Sequence, residues 1–82
     1  MTRVLFFGLA ADHLGRERTV DLPPEGATVG ELRRRLSEGD EAAAAVLSRP
    51  DVRASVDQDI VRDEARILPG HEVAFFSIFS GG

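Results

Sequence analysis

Two short apolar runs near the ends of the chain limit what 82 residues can fold into. Arg3-Val4-Leu5-Phe6-Phe7-Gly8-Leu9 and Glu72-Val73-Ala74-Phe75-Phe76-Ser77-Ile78 are too brief for periodicity alone to separate helix from strand. Their β-branched and aromatic content favours strand. Each is apolar on both faces, the pattern of a central strand. Side chains alternate along a strand, so Val73, Phe75, Ser77 and Phe79 share one face and Ala74, Phe76 and Ile78 the other. One set faces a core. The other, with one face of Val4–Phe7, leaves an exposed apolar patch of the kind that marks an interface. Alternation does not say which set is which.

The stretch between these runs supplies the rest of the architecture. Ala10 to Gly15 predicts a helical turn closed by Gly15. Arg16–Leu22 reads as an exposed, edge-like strand with Val20 and Leu22 on one face, stopped by Pro23-Pro24-Glu25-Gly26. Thr28 and Glu31 stand three apart, as a capping box requires, and Val29, Leu32 and Leu36 follow on one helical face. Gly39 ends this helix, and Asp40 caps a second over Glu41–Leu47, which Pro50 stops. Val52, Ala54 and Val56 alternate as a strand, Asp57-Gln58-Asp59 turns, and Ile60-Val61 resumes. Asp63–Arg66 reads as a polar connection, and Pro69-Gly70 suits a type II turn. With the two doubly apolar strands central and side by side and a helix across one face, the fold class is α+β. The natural candidate is a ubiquitin-like β-grasp: a mixed sheet, one main helix on one face, and N- and C-terminal strands in the middle.

A chain of this size is one domain. We divide it into a domain over residues 1–79 and a flexible Gly-Gly tail over 80–82. It has no cysteine, which excludes a disulfide framework, a cysteine nucleophile and an iron–sulfur cluster, and cytoplasmic residence is the simplest expectation. Neither a signal segment nor a run of membrane-spanning length is apparent, so no membrane partner is expected. The net charge of -4 argues against nucleic acid. All ten basic residues are arginine, so no lysine is present for Schiff-base or isopeptide chemistry. No metal site is expected: His13 and His71 are distant in sequence and read as exposed loop residues. Asp57, Asp59, Asp63 and Glu64 lack calcium-loop spacing and read as exposed acids. Arg33-Arg34-Arg35 reads as a solvated surface, with docking of a partner as the alternative.

The sequence closes on Phe79-Ser80-Gly81-Gly82. Glycine has no Cβ to obstruct passage through a narrow space, so the ending reads either as a frayed tail or as a lead whose Gly82 carboxylate is the candidate reacting group. Val4-Leu5-Phe6-Phe7, Thr28-Val29-Gly30-Glu31-Leu32 and Leu68-Pro69-Gly70-His71-Glu72-Val73-Ala74-Phe75-Phe76, with the ending Ser80-Gly81-Gly82, together resemble the small subunit of molybdopterin synthase. Three departures stand out. His71 replaces a usual aspartate, Asp57 a usual asparagine, and Ser77-Ile78 a usual proline pair.

The resemblance implies a sulfur carrier in molybdenum cofactor biosynthesis. A ubiquitin-activating-type adenylyltransferase would use ATP to adenylate Gly82, and a sulfur donor would convert it to a thiocarboxylate. The large synthase subunit, in a heterotetramer of two small and two large chains, would then pass the sulfur to cyclic pyranopterin monophosphate. On this reading the chain binds no cofactor and supplies a reacting group, while the catalytic residues lie on the large subunit. Gly81, Ser80, Phe79, Phe76 and Phe75 would form the tail and partner-binding surface. Six residues beyond Phe76 span at most roughly 20–22 Å when extended. Two alternatives share the resemblance only in part: a carrier for thiamine thiazole or tRNA thiolation, and a ubiquitin-like binding or conjugation module.

Overall fold

The computed structural model describes Met1–Ser77. Its elements run β1 (Thr2–Phe6), α1 (Leu9–Leu14), β2 (Glu17–Val20), β3 (Ala27–Thr28), α2 (Val29–Ser37), α3 (Glu41–Leu47), β4 (Val52–Val56), β5 (Asp59–Val61), β6 (Arg66–Ile67) and β7 (Glu72–Ser77). Five strands form a sheet in the order β2-β1-β7-β4-β5. The two doubly apolar runs lie side by side at its centre, paired parallel from Arg3↔Glu72 to Phe6↔Phe75. The edge reading of β2 holds, because among the described residues it pairs only with β1.

Strand alternation sorts the residues into two environments. Val4, Phe6, Val52, Ala54, Val73 and Phe75 point inward and are buried. There they meet Ala10 and Leu14 of α1, Val29, Leu32 and Leu36 of α2, and Ala43, Val46 and Leu47 of α3 in a single core. The predicted spacing of Val29, Leu32 and Leu36 is therefore the buried face of α2. Thr28 Oγ1 accepts from the Glu31 N–H at 3.1 Å while Glu31 Oε1 accepts from the Thr28 N–H at 2.8 Å. The capping box is thus complete. Asp40 caps α3 by accepting from the Ala43 N–H.

Two readings need correction. The first apolar run does not continue as strand through Gly8. β1 stops at Phe6, and Gly8 turns the chain into α1 with φ +61°, a left-handed conformation that glycine adopts without strain. Residues 63–66 are also more than a connection. Ile67 and Arg66 pair antiparallel with Ala27 and Thr28 as a separate two-stranded sheet. Gly26 makes that pairing possible: it is buried, has φ +82°, and a Cβ there would lie 2.1 Å from the Ile67 carbonyl oxygen.

The turn readings survive. The His71 N–H donates to the Leu68 carbonyl at 3.1 Å across Pro69 and Gly70, with Gly70 at φ +93°. Asp57 and Gln58 make a two-residue hairpin loop with φ +48° and +74°, because Val56 and Asp59 are paired on either side. Both angles suit the type I′ turn that β-hairpins prefer.

One buried group lacks a partner. The Thr2 hydroxyl is fully buried and has no hydrogen bond among the described residues. Desolvating an unpaired hydroxyl costs about 1–3 kcal/mol. Thr2→Val should therefore raise stability by about 1 kcal/mol, visible as a higher denaturation midpoint with unchanged slope. The capping box gives a pH signature. Hydrogen bonds from Thr28, the backbone N–H first, hold the Glu31 carboxyl below its ordinary range. Its stabilising contribution is present above that range and is lost as pH falls through the depressed folded value. Thermal melts of the wild type and Glu31→Gln should converge on acidification and separate at neutral pH.

Candidate functional site

The strand that leads toward the tail is held from three directions. On its inner face Phe75 is wholly buried, stacked on Phe6 with ring centroids 6.0 Å apart and planes 14° from parallel. The Arg33 guanidinium carbon lies 5.1 Å from the Phe75 ring centroid, within the range of a cation–π contact. That guanidinium is further fixed by the Leu47 carbonyl at 2.6 Å, the Val52 carbonyl at 2.9 Å and Asp63 at 2.9 Å. Arg33 is thus a clasp joining α2, the end of α3, the start of β4 and the loop after β5. This corrects the reading of Arg33-Arg34-Arg35 as uniformly solvated. Arg35 also reaches back, donating to the Asp21 carbonyl.

The outer face of the sheet carries the patch. Arg3, Leu5 and Phe7 alternate outward from β1 and the residue after it, and Phe7 is 52% exposed. Leu5 stands beside Ala74, and Arg53 beside Phe76. The Phe7 N–H donates to the Phe75 carbonyl at 3.0 Å, which keeps Phe7 in line with the end of β7. Ser55 separates Ala74 from Ile60, which is 60% exposed. The result is an apolar surface of Leu5, Phe7, Ala74, Phe76 and Ile60 that no helix covers among the described residues.

Of the candidate docking residues, the structure therefore separates Phe75 from Phe76. Phe75 is corrected to the core: its side chain cannot meet a partner without breaking the Phe6 stack. Phe76 lies on the open face, partly exposed. Phe79, Ser80, Gly81 and Gly82, and the split at residues 79 and 80, lie outside the described residues. Leu5, Phe7 and Ile60 were not singled out as individual site residues. The alternation of Val4–Phe7 carried the signal for the first two, and the pairing of Ile60 across the β4–β5 hairpin had none in the sequence.

The three departures from the family pattern have local accounts. Asp57 Oδ1 accepts from the Glu72 N–H at 2.9 Å, a role an amide oxygen fills equally well. His71 Nδ1 accepts from the Leu68 N–H at 3.2 Å, within the turn before β7. Ser77 pairs with Val52, and proline there would bring no N–H to the ladder. At the start of the sheet Arg3 bonds Glu17 through two nitrogens, at 2.9 and 3.2 Å, and Glu72 at 3.2 Å. The Arg3 hydrogen bond holds the Glu17 carboxyl below its ordinary range. Among the described residues no group of three or more His, Asp or Glu is placed to hold a metal ion. No helix there is long and apolar enough to cross a membrane.

Comparison with known proteins adds a family to this geometry. The ThiS family profile matches residues 4–82. The chain belongs to the ThiS family. Its members are ubiquitin-like sulfur carriers of the ThiS and MoaD type. Solved structures agree on the β-grasp fold. SAMP1 of Haloferax volcanii superposes with a TM-score of 0.76 at 23% identity, over 99% of this chain and 98% of that one. A Pyrococcus furiosus protein described as a candidate molybdopterin converting factor, subunit 1, gives 0.73 at 21% identity, over 93% and 94%. Another Haloferax volcanii protein, solved in solution, gives 0.74 at 22% identity, over 99% and 85%. No curated protein sequence matches the chain at a significant level.

The two phenylalanines give a paired test. Phe75→Ala should cost about 3–5 kcal/mol, as large-to-small changes of buried aromatics do. Phe76→Ala should cost no more than about 1–2 kcal/mol, since its ring is partly exposed already. Denaturant titration of both variants reads the difference directly.

Proposed function

We propose that this chain is the sulfur-carrying small subunit of a molybdopterin synthase. The observation that supports it most is the reach of the family match through Gly81 and Gly82, directly after a strand anchored at the centre of the sheet. The motif Glu72-Val73-Ala74-Phe75-Phe76 with its Gly-Gly ending supports the molybdopterin branch over thiazole synthesis or tRNA thiolation.

In this reading the Gly82 carboxylate oxygen attacks the α-phosphorus of ATP in a ubiquitin-activating-type adenylyltransferase and pyrophosphate leaves. A carboxylate is a poor electrophile, and the acyl-adenylate provides a leaving group. A hydrosulfide-equivalent donor then attacks the acyl carbon, AMP departs, and Gly82 ends as a thiocarboxylate. The large synthase subunit takes that sulfur for cyclic pyranopterin monophosphate. Two loaded chains serve each dithiolene, which suits an assembly of two small and two large subunits. ATP belongs to the activating step, and this chain holds no cofactor of its own. The outer face of Leu5, Phe7, Ala74 and Phe76 seats the domain against each partner in turn, and the enclosed channel keeps water from the reactive acyl group.

A second reading has one observation in its favour. The likeness to SAMP1, small archaeal modifier protein 1, fits a ubiquitin-like modifier joined to other proteins. Such a modifier would not build lysine-linked chains on itself, because the sequence has no lysine.

Intact-mass measurement distinguishes the classes. Incubation with ATP, a sulfide source and the adenylyltransferase encoded in the same genome should yield a species about 16 Da heavier, sulfur replacing oxygen. Deleting Gly82 should abolish it. Absence of the heavier species sinks the carrier reading. Its presence without molybdopterin formation, when the large subunit and cyclic pyranopterin monophosphate are added, moves the assignment to another pathway.

A further inference from the structure

The ten arginines divide by what their side chains bond. Arg3, Arg33 and Arg49 bond carboxylates. Arg18, Arg35 and Arg66 donate to the carbonyls of Leu14, Asp21 and Glu25. Arg16, Arg34, Arg53 and Arg62 have no side-chain hydrogen bond or ion pair among the described residues.

Three of the four lie toward one end of the sheet. Arg53 pairs with Phe76 in the β4–β7 ladder. Arg62 follows Val61, the partner of Ala54, which sets it beside Arg53. Both line an open groove together with Arg34. Arg16 lies on the other side of β7. Its carbonyl accepts from the Phe6 N–H at 2.9 Å, and it lines a hollow with Phe7 and Gly8. A Cβ at Gly8 would lie 4.0 Å from Ser77 Oγ. The C-terminal end of β7 therefore emerges between arginines on both flanks. The opposite end of the sheet carries Asp57, Asp59 and Glu72 around the β4–β5 turn. On a chain of net charge -4, the groove is lined by five arginines against Glu38, Asp63 and Glu64, and Asp63 is already held by Arg33.

We propose that Arg16, Arg53 and Arg62 form a cationic docking rim that meets carboxylates around the mouth of the adenylating partner's tail channel. The inference rests on the carrier reading above, and it adds the charge of the partner surface. A chain whose C-terminus enters another protein's active site must press the end of β7 against the mouth of that site. Whatever lies beside Ser77 then faces the mouth. Three strand positions separate Arg16 from Arg53, about 14 Å at ordinary sheet spacing. That is too wide for one phosphate to bridge and well suited to carboxylates spread around an opening. Unpaired guanidiniums keep their donors available for bidentate contacts. Complementary rims act chiefly on encounter rate and orientation, and salt weakens them.

The test uses pyrophosphate release by the adenylyltransferase of the same genome, with the full chain as substrate and salt as the variable. Arg16→Gln/Arg53→Gln/Arg62→Gln should raise the KM for the carrier about tenfold at low salt, flatten its salt dependence and leave kcat unchanged. Arg18→Gln/Arg66→Gln removes charge elsewhere and should leave the KM near that of the wild type. The single change Arg62→Gln, at an exposed loop position, should move KM the same way and serves if the triple variant loses its fold. Equal salt dependence in wild type and rim variants overturns the proposal while leaving the carrier reading intact. A rise in the KM for ATP alone also overturns it, placing the arginines on nucleotide phosphates. A wild-type chain that is never adenylated removes both.

Discussion

The parallel pairing of β1 with β7 is the contact on which the other elements depend. Four residue pairs bring together strands nearly seventy positions apart in sequence, and their inward side chains stack Phe6 on Phe75. Each buried aromatic removes about 150–250 Å² from water, worth several kcal/mol. All three helices cover the inner face of the sheet, where Leu14, Leu32, Leu36, Val46 and Leu47 converge. Arg33 then closes the arrangement from the α2 side, spending its donors on two carbonyls and a carboxylate while its plane lies near Phe75. A guanidinium so fully engaged is a packing element whose charge has been used up locally.

The same strand serves two purposes because its side chains alternate. Val73 and Phe75 anchor it, while Ala74 and Phe76 remain on the outer sheet face with Leu5 and Phe7. A six-residue strand thus presents a partly exposed outer face whose backbone is held by hydrogen bonds on both sides, to β1 and β4. Groups mounted on such an element keep their positions better than groups on a loop. Charge follows a comparable division. Among the described residues six arginines hydrogen-bond within the domain, and of the other four Arg53 pairs with Phe76 in the β4–β7 ladder.

Much of this was legible in the sequence, for reasons that can be assigned to particular residues. Thr28 and Glu31 announce a helix start because capping is decided within four residues. Val29, Leu32 and Leu36 give its buried face by spacing alone, and Pro69-Gly70 gives a turn by backbone geometry. The central strands were legible because both faces are apolar. Features that depend on distant partners were not. β3 and β6 are two residues each, too short for a period, and exist because Gly26 lets Ile67 approach. Gly8 looked like part of a strand because its neighbours are apolar on either side. Alternation divided Phe75 from Phe76 but not core from surface, since that depends on which face the helices cover. Arg33, Arg34 and Arg35 look alike in a row, yet one is internal, one makes no hydrogen bond or ion pair among the described residues and one reaches back to Asp21.

The central position of β7 has a consequence for how the chain is made. Ribosomal synthesis proceeds from β1 onward, so the element that joins β1 to β4 is the last described one to appear. Until it emerges, the β1–β2 pair and the β4–β5 hairpin are separate, and isolated two-stranded units are marginal in water. A product released early, lacking β7, would have no centre to its sheet and would be left to proteases. The sheet can close only after synthesis has passed through Phe75, the central strand's contribution to the core.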